Sequence, residues 1–324
     1  MKKILVVRFS SIGDIVLTTP VVRCLKQEFP DAEIHYITKS SYKILLANNP
    51  YIDKLYTINK EITEVLPELK QEKYDFIIDL HHNLRTFRLK LALHTKAYQF
   101  PKFNIKKWLL TTFKINKMPN QHIVDRYFKC VNEIGVVNDQ KGLDYFIPKQ
   151  DEINLKAYHI PNDYIVFAIG AKFATKRLPV SKIIDIVNQI PNTVVLLGGK
   201  EDKEKAREIS DACSNTIKLC GDLNLNQSAS IIKQSKKVIT HDTGLMHIAS
   251  AFNKPIISIW GNTVPEFGMY PYLPQSPNNF VIHQVNNLSC RPCSKIGYQS
   301  CPKKHFNCMQ QQNIAKIVKS IEEN

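Results

Sequence analysis

Short apolar, β-branched runs alternate with longer amphipathic segments along the whole chain, and this alternation most constrains the fold. In the first half, the strand-like runs lie at residues 3–8, 33–38, 54–58 and 76–80. In the second half, they lie at residues 164–170, 193–199, 216–221, 237–242 and 255–261. Repeated β-α units of this kind predict parallel sheets with helices on both faces.

The two sets of repeats are separated by a polar stretch at residues 147–163. A chain of 324 residues is also longer than one hydrophobic core usually serves. We therefore expect an α/β protein with two doubly wound domains, residues 1–155 and 156–324, that face each other across a cleft. Ligands of such folds bind outside the carboxyl ends of the strands. The residues that directly follow the strands are therefore the candidates for chemistry.

The composition indicates a soluble globular protein with a net charge of +15. No apolar run reaches the roughly 18 residues of a transmembrane helix, and the start "MKKILVVRFSSIGD" lacks the features of a signal peptide. We therefore expect a cytoplasmic protein. The charge favours an acidic partner, such as a phosphorylated substrate or anionic lipid. Nucleic acid is not expected, because no recognised nucleic-acid-binding module is visible.

The positive charge is concentrated between Leu80 and Val124, where there is no Asp or Glu. The basic residues of this segment are Arg85, Arg88, Lys90, Lys96, Lys102, Lys106, Lys107, Lys114 and Lys117. The apolar residues Trp108, Leu109, Leu110 and Phe113 lie among them. This pattern is typical of a surface that contacts anionic lipid or a lipid-linked substrate. A solvated basic face on an ordinary helix would produce it as well.

The first strand is followed by "SSIGD", which contains one glycine and neither a Walker A nor a GxGxxG motif. Gly13 lets the backbone approach a ligand closely. Asp14 is placed to act as a general base towards a hydroxyl group. Alternatively, Asp14 is an acid favoured by the first turn of a helix.

Two junctions in the second half could bind a phosphate or diphosphate. After the strand at 164–170, Lys172, Lys176 and Arg177 lie in a loop that leads into a helix, although a basic solvent-exposed loop would look the same. In "HDTGLMH", Asp242 or Thr243 can cap the next helix. The remaining N–H groups of the first turn, with Gly244 and His247, then form an anion site. A simple helix cap is the alternative.

Eight cysteines are present, and Cys24, Cys130, Cys213 and Cys220 lie singly in apolar surroundings, as buried residues do. The other four cluster near the carboxyl terminus: Cys290, Cys293, Cys301 and Cys308. Their spacing resembles a structural zinc site with an unusually wide second pair, and His305 is an alternative ligand. Free or locally packed thiols are the favoured interpretation, and no catalytic metal is expected.

Three segments together resemble the lipopolysaccharide heptosyltransferases of glycosyltransferase family nine. They are "VVRFSSIGDIVLTTPV", "GAKFATKRLP" and "DTGLMHIASAFNKPIISIWGNT", and "CRPC" with the later "HFNC" also resembles a pattern in many members. The resemblance covers residues 3 to about 310. It implies a GT-B fold of two Rossmann-like domains. It also implies an inverting transfer of a sugar, typically from ADP-heptose, to a lipopolysaccharide core. We expect the fixed positive charges near the diphosphate to substitute for a divalent metal.

The resemblance also implies roles for individual residues. Asp14 matches the catalytic base, and Lys176 matches the lysine that contacts the diphosphate. The phosphate-binding turn matches Asp242, Thr243, Gly244 and His247, with Lys172 nearby. The first domain would bind a phosphorylated, lipid-linked acceptor at the cytoplasmic face of the inner membrane. Its candidate contacts are Ser11, Gly13, Arg85 and Arg88.

Two positions depart from the family pattern. Gln227 stands where an acid often holds the nucleotide ribose, and Arg177 and Leu178 replace an aromatic residue after Lys176. An amide binds a ribose hydroxyl less strongly than a carboxylate does. The alternatives are therefore a different nucleotide-sugar donor for another surface glycan, or an inactive nucleotide-binding paralogue. A basic nucleic-acid binder has only the charge in its favour.

Overall fold

The computed structural model describes residues 1–323, which form two compact units. The first unit comprises residues 1–102 and 121–146. The second comprises residues 103–120 and the chain from residue 147 onward. The segment 103–120 thus belongs to the second unit although it lies in the first half of the sequence.

Strands and helices alternate in the first unit. In chain order they are β1 (Lys3–Val7), α1 (Ile12–Val16), α2 (Thr19–Glu28), β2 (Glu33–Lys39), β3 (Lys54–Ile58), α3 (Leu66–Glu72), β4 (Phe76–Asp79), α4 (Leu84–Leu93), β5 (Ala97–Gln99) and, after α5 (Asn104–Phe113) of the second unit, α6 (Ile123–Val131). The strands form a parallel sheet in the order β3-β2-β1-β4-β5. Val7 at the end of β1 lies opposite Ile37 on one side and Asp79 on the other. After β3, the chain therefore returns to the other side of β1, and the strand order reverses between β1 and β4.

The second unit repeats this design with six parallel strands. Its further elements are β6 (Tyr164–Ala168), α7 (Val180–Val187), β7 (Thr193–Leu197), α8 (Lys203–Ala212), β8 (Thr216–Lys218), α9 (Leu225–Gln234), β9 (Lys237–His241), α10 (Gly244–Ala251), β10 (Ile256–Trp260), β11 (Phe280–Gln284), α11 (Asn307–Gln310) and α12 (Ile314–Glu323). The strand order is β11-β10-β9-β6-β7-β8. Ala168 lies opposite Thr240, so β6 and β9 end side by side at the point where the strand order reverses.

The α/β class expected from the sequence is confirmed, and the burial of the strands explains why it could be recognised. Every residue of β6, β9 and β10 is buried, because helices cover both faces of a parallel sheet. Such strands appear in a sequence as continuous apolar runs. The sequence analysis missed β5 and β11, which are edge strands with at most half of their residues buried.

The polar stretch between the two sets of repeats is part of the second unit. Both carboxylate oxygens of Asp151 accept hydrogen bonds of 2.8 Å, one from the amide of Asn224 and one from that of Asn226. The backbone N–H of Ile153 donates to Ser230 Oγ at 2.9 Å. This stretch is therefore held against α9 rather than being a free linker.

The helix α5 is anchored by one apolar residue of the basic segment. Leu110 is buried and packs in a cluster with Val264 and Phe267, whereas Trp108 and Phe113 are about half exposed. The apolar stripe predicted for this segment is therefore only partly a surface. No helix of residues 1–323 is long and apolar enough to cross a membrane.

A buried arginine fixes the end of the first unit to α2. Arg23 is 3% exposed and donates to both carboxylate oxygens of Asp139, at 2.9 and 2.8 Å, and to the carbonyl of Gly142 at 2.9 Å. It also pairs with Asp144. Partial burial opposes ionisation of Asp139, but the hydrogen bonds from Arg23 prevail and lower its pKa to about 2.

We predict that Arg23→Leu lowers the free energy of unfolding of the first unit by about 3 kcal/mol near neutral pH, because it leaves two partly buried carboxylates without their partner. Asp139 has a depressed pKa. Its contribution is therefore complete above the unfolded pKa of about 3.9 and is lost as the pH falls towards 2. Urea unfolding of wild type and Arg23→Leu at pH 6 and pH 3 measures the difference in their free energies of unfolding. Arg23→Lys should lose less, and an equal difference at both pH values would contradict the assignment.

Candidate active site

The loops that follow β6, β9 and β10 meet at one edge of the second sheet. These three strands are neighbours and run in parallel, so their carboxyl ends lie at the same edge. The loop after β6 carries Lys176, the residue after β9 is Asp242, and the loop after β10 carries Thr263. In open α/β sheets this position, outside the strand ends at a switch point, is where ligands bind.

An ion pair joins two of these loops. Lys176 Nζ donates to Asp242 Oδ2 at 2.5 Å and lies 3.3 Å from the carbonyl oxygen of Asp242. The same carboxylate oxygen accepts a hydrogen bond of 2.8 Å from Thr263 Oγ1. Both partners of the ion pair are largely buried, with 16% and 11% of their side chains exposed. The ammonium group is thereby fixed at the edge of the sheet.

The loop that carries Lys176 is also held through its backbone. Thr175 exchanges hydrogen bonds with Tyr298, since its N–H donates to the carbonyl of Tyr298 at 3.1 Å and its Oγ1 accepts from the N–H of Tyr298 at 2.8 Å. The carbonyl of Thr175 accepts from the N–H of Asn262 at 3.3 Å. Gly261 permits this approach, because a Cβ at that position would lie 2.5 Å from the carbonyl oxygen of Thr175.

The helix α10 begins directly beside the ion pair. Thr243 is its N-cap residue in extended conformation, but its side chain makes no capping hydrogen bond. Asp242 uses its carboxylate on Lys176 and Thr263 instead. The helix starts at Gly244, and His247 is buried within it. Its first turn therefore presents backbone N–H groups and the positive end of the helix dipole, which suit an anion.

The other donor-site residues predicted from the sequence have different surroundings. Lys172 is exposed, and its ammonium group lies 5.7 Å from the centroid of the Phe173 ring. Gln227 lies in the first turn of α9, where its Oε1 accepts from the N–H of Asn224 at 2.9 Å and its N–H donates to Asn224 Oδ1 at 2.9 Å. Gln227 thus forms a capping box, a role that the sequence analysis did not anticipate.

In the first unit, Asp14 lies in α1, just after β1, and its carboxylate is fixed at both oxygens. Oδ1 pairs with Arg8 Nη2 at 2.5 Å. Oδ2 accepts from Ser11 Oγ at 2.6 Å and from the N–H of Ser11 at 3.1 Å. The Asp14 side chain therefore combines a helix-cap contact with an ion pair.

Arg8 connects the ends of the two central strands of this sheet. Besides Asp14, it donates to the carbonyl of Leu80 at 2.5 Å and to the hydroxyl of Tyr127 at 3.2 Å. Beside it lies His81, whose pKa is lowered to about 3, mainly by burial and then by the positive charge of Arg8. His81 is therefore neutral at physiological pH.

The candidate acceptor residues of the first unit differ in how near they lie to Asp14 and the end of β1. Gly13 is buried in α1 next to Asp14. The guanidinium of Arg85 lies 5.5 Å from the centroid of the Phe9 ring, which directly follows β1 with Arg8. Arg88 is exposed on α4.

The sequence analysis missed Arg8 and Thr263. Arg8 ends a predicted strand, and only the fold reveals that its side chain reaches Asp14. Thr263 follows β10 and could have been found by the same rule that identified Asp242, since it comes just after a predicted strand.

The cysteines fall into the two predicted groups. Cys24, Cys130, Cys213 and Cys220 are buried, as expected. In the carboxyl-terminal group, Cys290 Sγ lies 3.8 Å from His305 Nε2, and Cys293 Sγ donates to the carbonyl of Cys290 at 3.1 Å. Free or locally packed thiols at Cys290, Cys293, Cys301 and Cys308 stay the prediction, with a structural metal as the alternative.

Among residues 1–323, one group of three ligand atoms lies within 4.8 Å of one another, and it is Glu33, His35 and Glu72 in the first unit. Lys3 and Lys54 already pair with Glu72, at 2.5 and 2.7 Å. Tyr56 donates to the same carboxylate at 2.6 Å. The Glu72 carboxylate is therefore already engaged in an ion-pair network at the amino ends of the strands.

Comparison with known proteins places the chain in a family. The family model for glycosyltransferase family 9 (heptosyltransferase) matches residues 62–303. Lipopolysaccharide heptosyltransferase 1 of Campylobacter coli is 24% identical over 291 residues, which cover 81% of this chain and 84% of the relative.

Solved structures show the same fold. A family 9 glycosyltransferase from Veillonella parvula superposes with a TM-score of 0.78 at 20% identity, covering 99% of this chain and 96% of the other. The E. coli ADP-heptose lps heptosyltransferase II superposes with a TM-score of 0.74 at 19% identity, covering 99% and 98%. The expected GT-B class, with two Rossmann-like domains, is confirmed. Because the family model matches well over half of the chain, the protein belongs to glycosyltransferase family 9, the heptosyltransferase family, and is a glycosyltransferase.

Proposed function

We propose that this glycosyltransferase moves heptose from ADP-heptose to a lipopolysaccharide core acceptor, with inversion at the anomeric carbon and without a metal ion. The observation that carries the proposal is the ion pair of Lys176 with Asp242 beside the uncapped start of α10. The names of the relatives from C. coli and E. coli support the substrate class.

The second unit binds the donor. Lys176 and the free N–H groups at the start of α10, from residue 243 to residue 246, contact the diphosphate, with the side chains of His247 and the exposed Lys172 as further donors. Asp242 is not itself a ligand of the anion, because two negative groups repel each other. Its role is to hold the ammonium group of Lys176 while Thr263 holds the carboxylate. These fixed charges stabilise the departing ADP without a divalent cation.

The first unit binds the acceptor and supplies Asp14 as the base. The acceptor oxygen attacks the anomeric carbon while the bond from that carbon to the diphosphate oxygen breaks. ADP leaves with the bonding electron pair, and the acceptor proton passes to Asp14. Arg8 pairs with Oδ1 and Ser11 donates to Oδ2, so the two contacts orient the carboxylate. A single in-line displacement inverts the configuration.

The acceptor is a phosphorylated, lipid-linked oligosaccharide at the cytoplasmic face of the inner membrane. Arg85 and Arg88 supply positive charge on the helix that follows β4, and Ser11 and Gly13 lie beside the base. The stretch from Leu80 to Val124 has no acidic residue that would repel phosphate groups.

A second candidate is the same reaction with another nucleotide sugar and another surface glycan. It is favoured by Gln227, which stands where many family members have an acid. Its Oε1 caps α9 instead of being free for a ribose hydroxyl. A third candidate, an inactive nucleotide-binding paralogue, would bind ADP tightly and turn over no nucleotide sugar.

We predict that Asp14→Asn lowers transfer to a truncated lipopolysaccharide acceptor by about 10²–10⁴-fold, because a general base contributes that much. The full chain is incubated with a panel of nucleotide sugars that includes ADP-heptose, and the products are identified by mass spectrometry. Asp31→Asn, at an exposed position of the same unit, is the matched control. Wild-type turnover by Asp14→Asn would exclude this base, whereas turnover of a different sugar alone would exclude the donor.

We predict that Lys176→Ala lowers turnover by about 10²–10³-fold and weakens ADP binding, because it removes the charge that stabilises the diphosphate. Calorimetric titration with ADP and steady-state kinetics measure the two effects. Lys233→Ala, at an exposed position of α9, should behave like wild type. Turnover of the wild type should persist in EDTA. Its loss in EDTA and return with Mg²⁺ would exclude the metal-free mechanism.

A further inference from the structure

The outer face of α4 is apolar and uncovered. Leu84, Phe87 and Leu91 are 65%, 52% and 56% exposed. Residues spaced by three and four positions lie on the same side of a helix, so these three form one stripe. The opposite side carries Thr86 and Leu89, which are buried against the first unit.

A groove runs beside this stripe. It has a volume of about 700 Å³, and its lining includes Leu84, Phe87 and Leu91 together with Lys90 and His94. Folded monomers rarely leave several large apolar side chains together in water beside an open groove. The stripe and the groove therefore indicate a surface that something covers.

The charges around the stripe identify the partner. Arg88 is exposed on α4, Lys96 is exposed after it, and no acidic residue occurs between Leu80 and Val124. A second copy of this chain would bring the same basic surface against itself, and the like charges would repel. An anionic bilayer suits both features of this surface. Its acyl region accommodates the apolar side chains, and its negative headgroups attract the cations.

We propose that the outer face of α4 docks on an anionic bilayer, with Leu84, Phe87 and Leu91 inserted at the interface. The proposal rests on the lipid-linked acceptor of the proposed function and specifies how that acceptor is reached. The helix begins five residues after β4, which is the neighbour of β1. Arg85 of its first turn lies over Phe9, close to where β1 leads to Asp14. Docking through α4 therefore brings the headgroup region to the base.

The test compares binding of the full chain to vesicles of phosphatidylcholine alone and vesicles that also contain phosphatidylglycerol. Wild type should co-sediment with the anionic vesicles, and the triple variant Leu84→Gln/Phe87→Gln/Leu91→Gln should bind at least about tenfold more weakly. Val137→Gln, at an apolar position that is 73% exposed in the same unit, is the control. The triple variant should keep wild-type ADP binding and wild-type turnover of an acceptor without acyl chains.

Equal vesicle binding by wild type and the triple variant would overturn this proposal. A wild-type dimer that the triple variant dissociates would overturn it too, since a second copy would then cover the stripe. If the vesicles bind as expected but no nucleotide sugar is turned over, the docking surface stands and the proposed function fails.

A second inference rests on a different observation, a buried histidine beside Asp242. His241 is the last residue of β9 and is fully buried. Its Nε2 accepts a hydrogen bond of 3.0 Å from the N–H of Leu178, two residues after Lys176. Nδ1 has no hydrogen-bond partner among the described residues. A buried unpaired N–H destabilises a fold, so this imidazole is not explained by stability.

We infer that His241 is a positioning residue for Lys176. Consecutive residues at the end of β9 hold the same loop, since Asp242 binds the Lys176 ammonium group and His241 binds the backbone of Leu178. Burial, and then the charge of Arg177, lowers the pKa of His241 to about 3. The neutral imidazole therefore keeps Nε2 as an acceptor throughout the physiological range.

His241→Leu should raise the KM for the donor by about tenfold, the effect of losing one hydrogen bond that orients the loop. The melting temperature should stay near the wild-type value, because the change also removes the unpaired Nδ1–H. His241→Gln should restore most of the affinity, since its Oε1 can replace Nε2. In the Lys176→Ala background, His241→Leu should have no further effect on the KM.

A lower melting temperature with an unchanged donor KM would overturn this second inference and leave a structural role. The same holds if the effects of the His241 and Lys176 changes simply add. If Lys176→Ala itself leaves ADP binding intact, the proposed donor site fails independently of His241.

Discussion

The parallel register of the central strands is the constraint on which the rest of this structure depends. In each unit, the chain builds the sheet outward on one side of its first strand and then returns to the other side. The first strand and the strand that returns therefore end side by side, at the edge where their loops must separate. Polar residues that are far apart in sequence meet there without crossing the hydrophobic core. Arg8, which pairs with Asp14 and binds the carbonyl of Leu80 after β4, is one result, and the pair of Lys176 with Asp242 is the other.

Each of these groups is a charge held by an opposite charge. Asp14 is held by Arg8, and Lys176 by Asp242, so neither side chain has to be ordered when a substrate arrives. Largely buried pairs of this kind contribute little net stability, because desolvation offsets their attraction. Their value lies in a fixed geometry, which is what electrostatic stabilisation of a leaving group requires. The Thr175–Tyr298 hydrogen bonds and His241 extend the same rigidity to the loop backbone.

Much of the candidate site could be predicted from the sequence, because its side chains follow strands and strands are recognisable as apolar runs. Asp14, Lys176 and Asp242 were found in this way, and the family resemblance assigned their roles. Gln227 shows what the sequence leaves undetermined. The sequence predicted Gln227 as a donor-site residue but could not show that its amide closes a capping box. Arg8 was missed because a long side chain can reach a partner six residues away only after the strand and the next helix have formed.

The sequence by itself determined the α/β class, the two sets of repeats and the acid-free basic segment, because periodicity, burial and charge are properties of the local chain. Only the tertiary structure decided that residues 103–120 pack in the second unit and that Leu84, Phe87 and Leu91 remain uncovered. It also decided that Arg8 pairs with Asp14 and that Thr263 donates to Asp242. These features depend on which distant segments come into contact. An apolar residue at helical spacing looks the same in the sequence whether the fold covers it or leaves it for a partner.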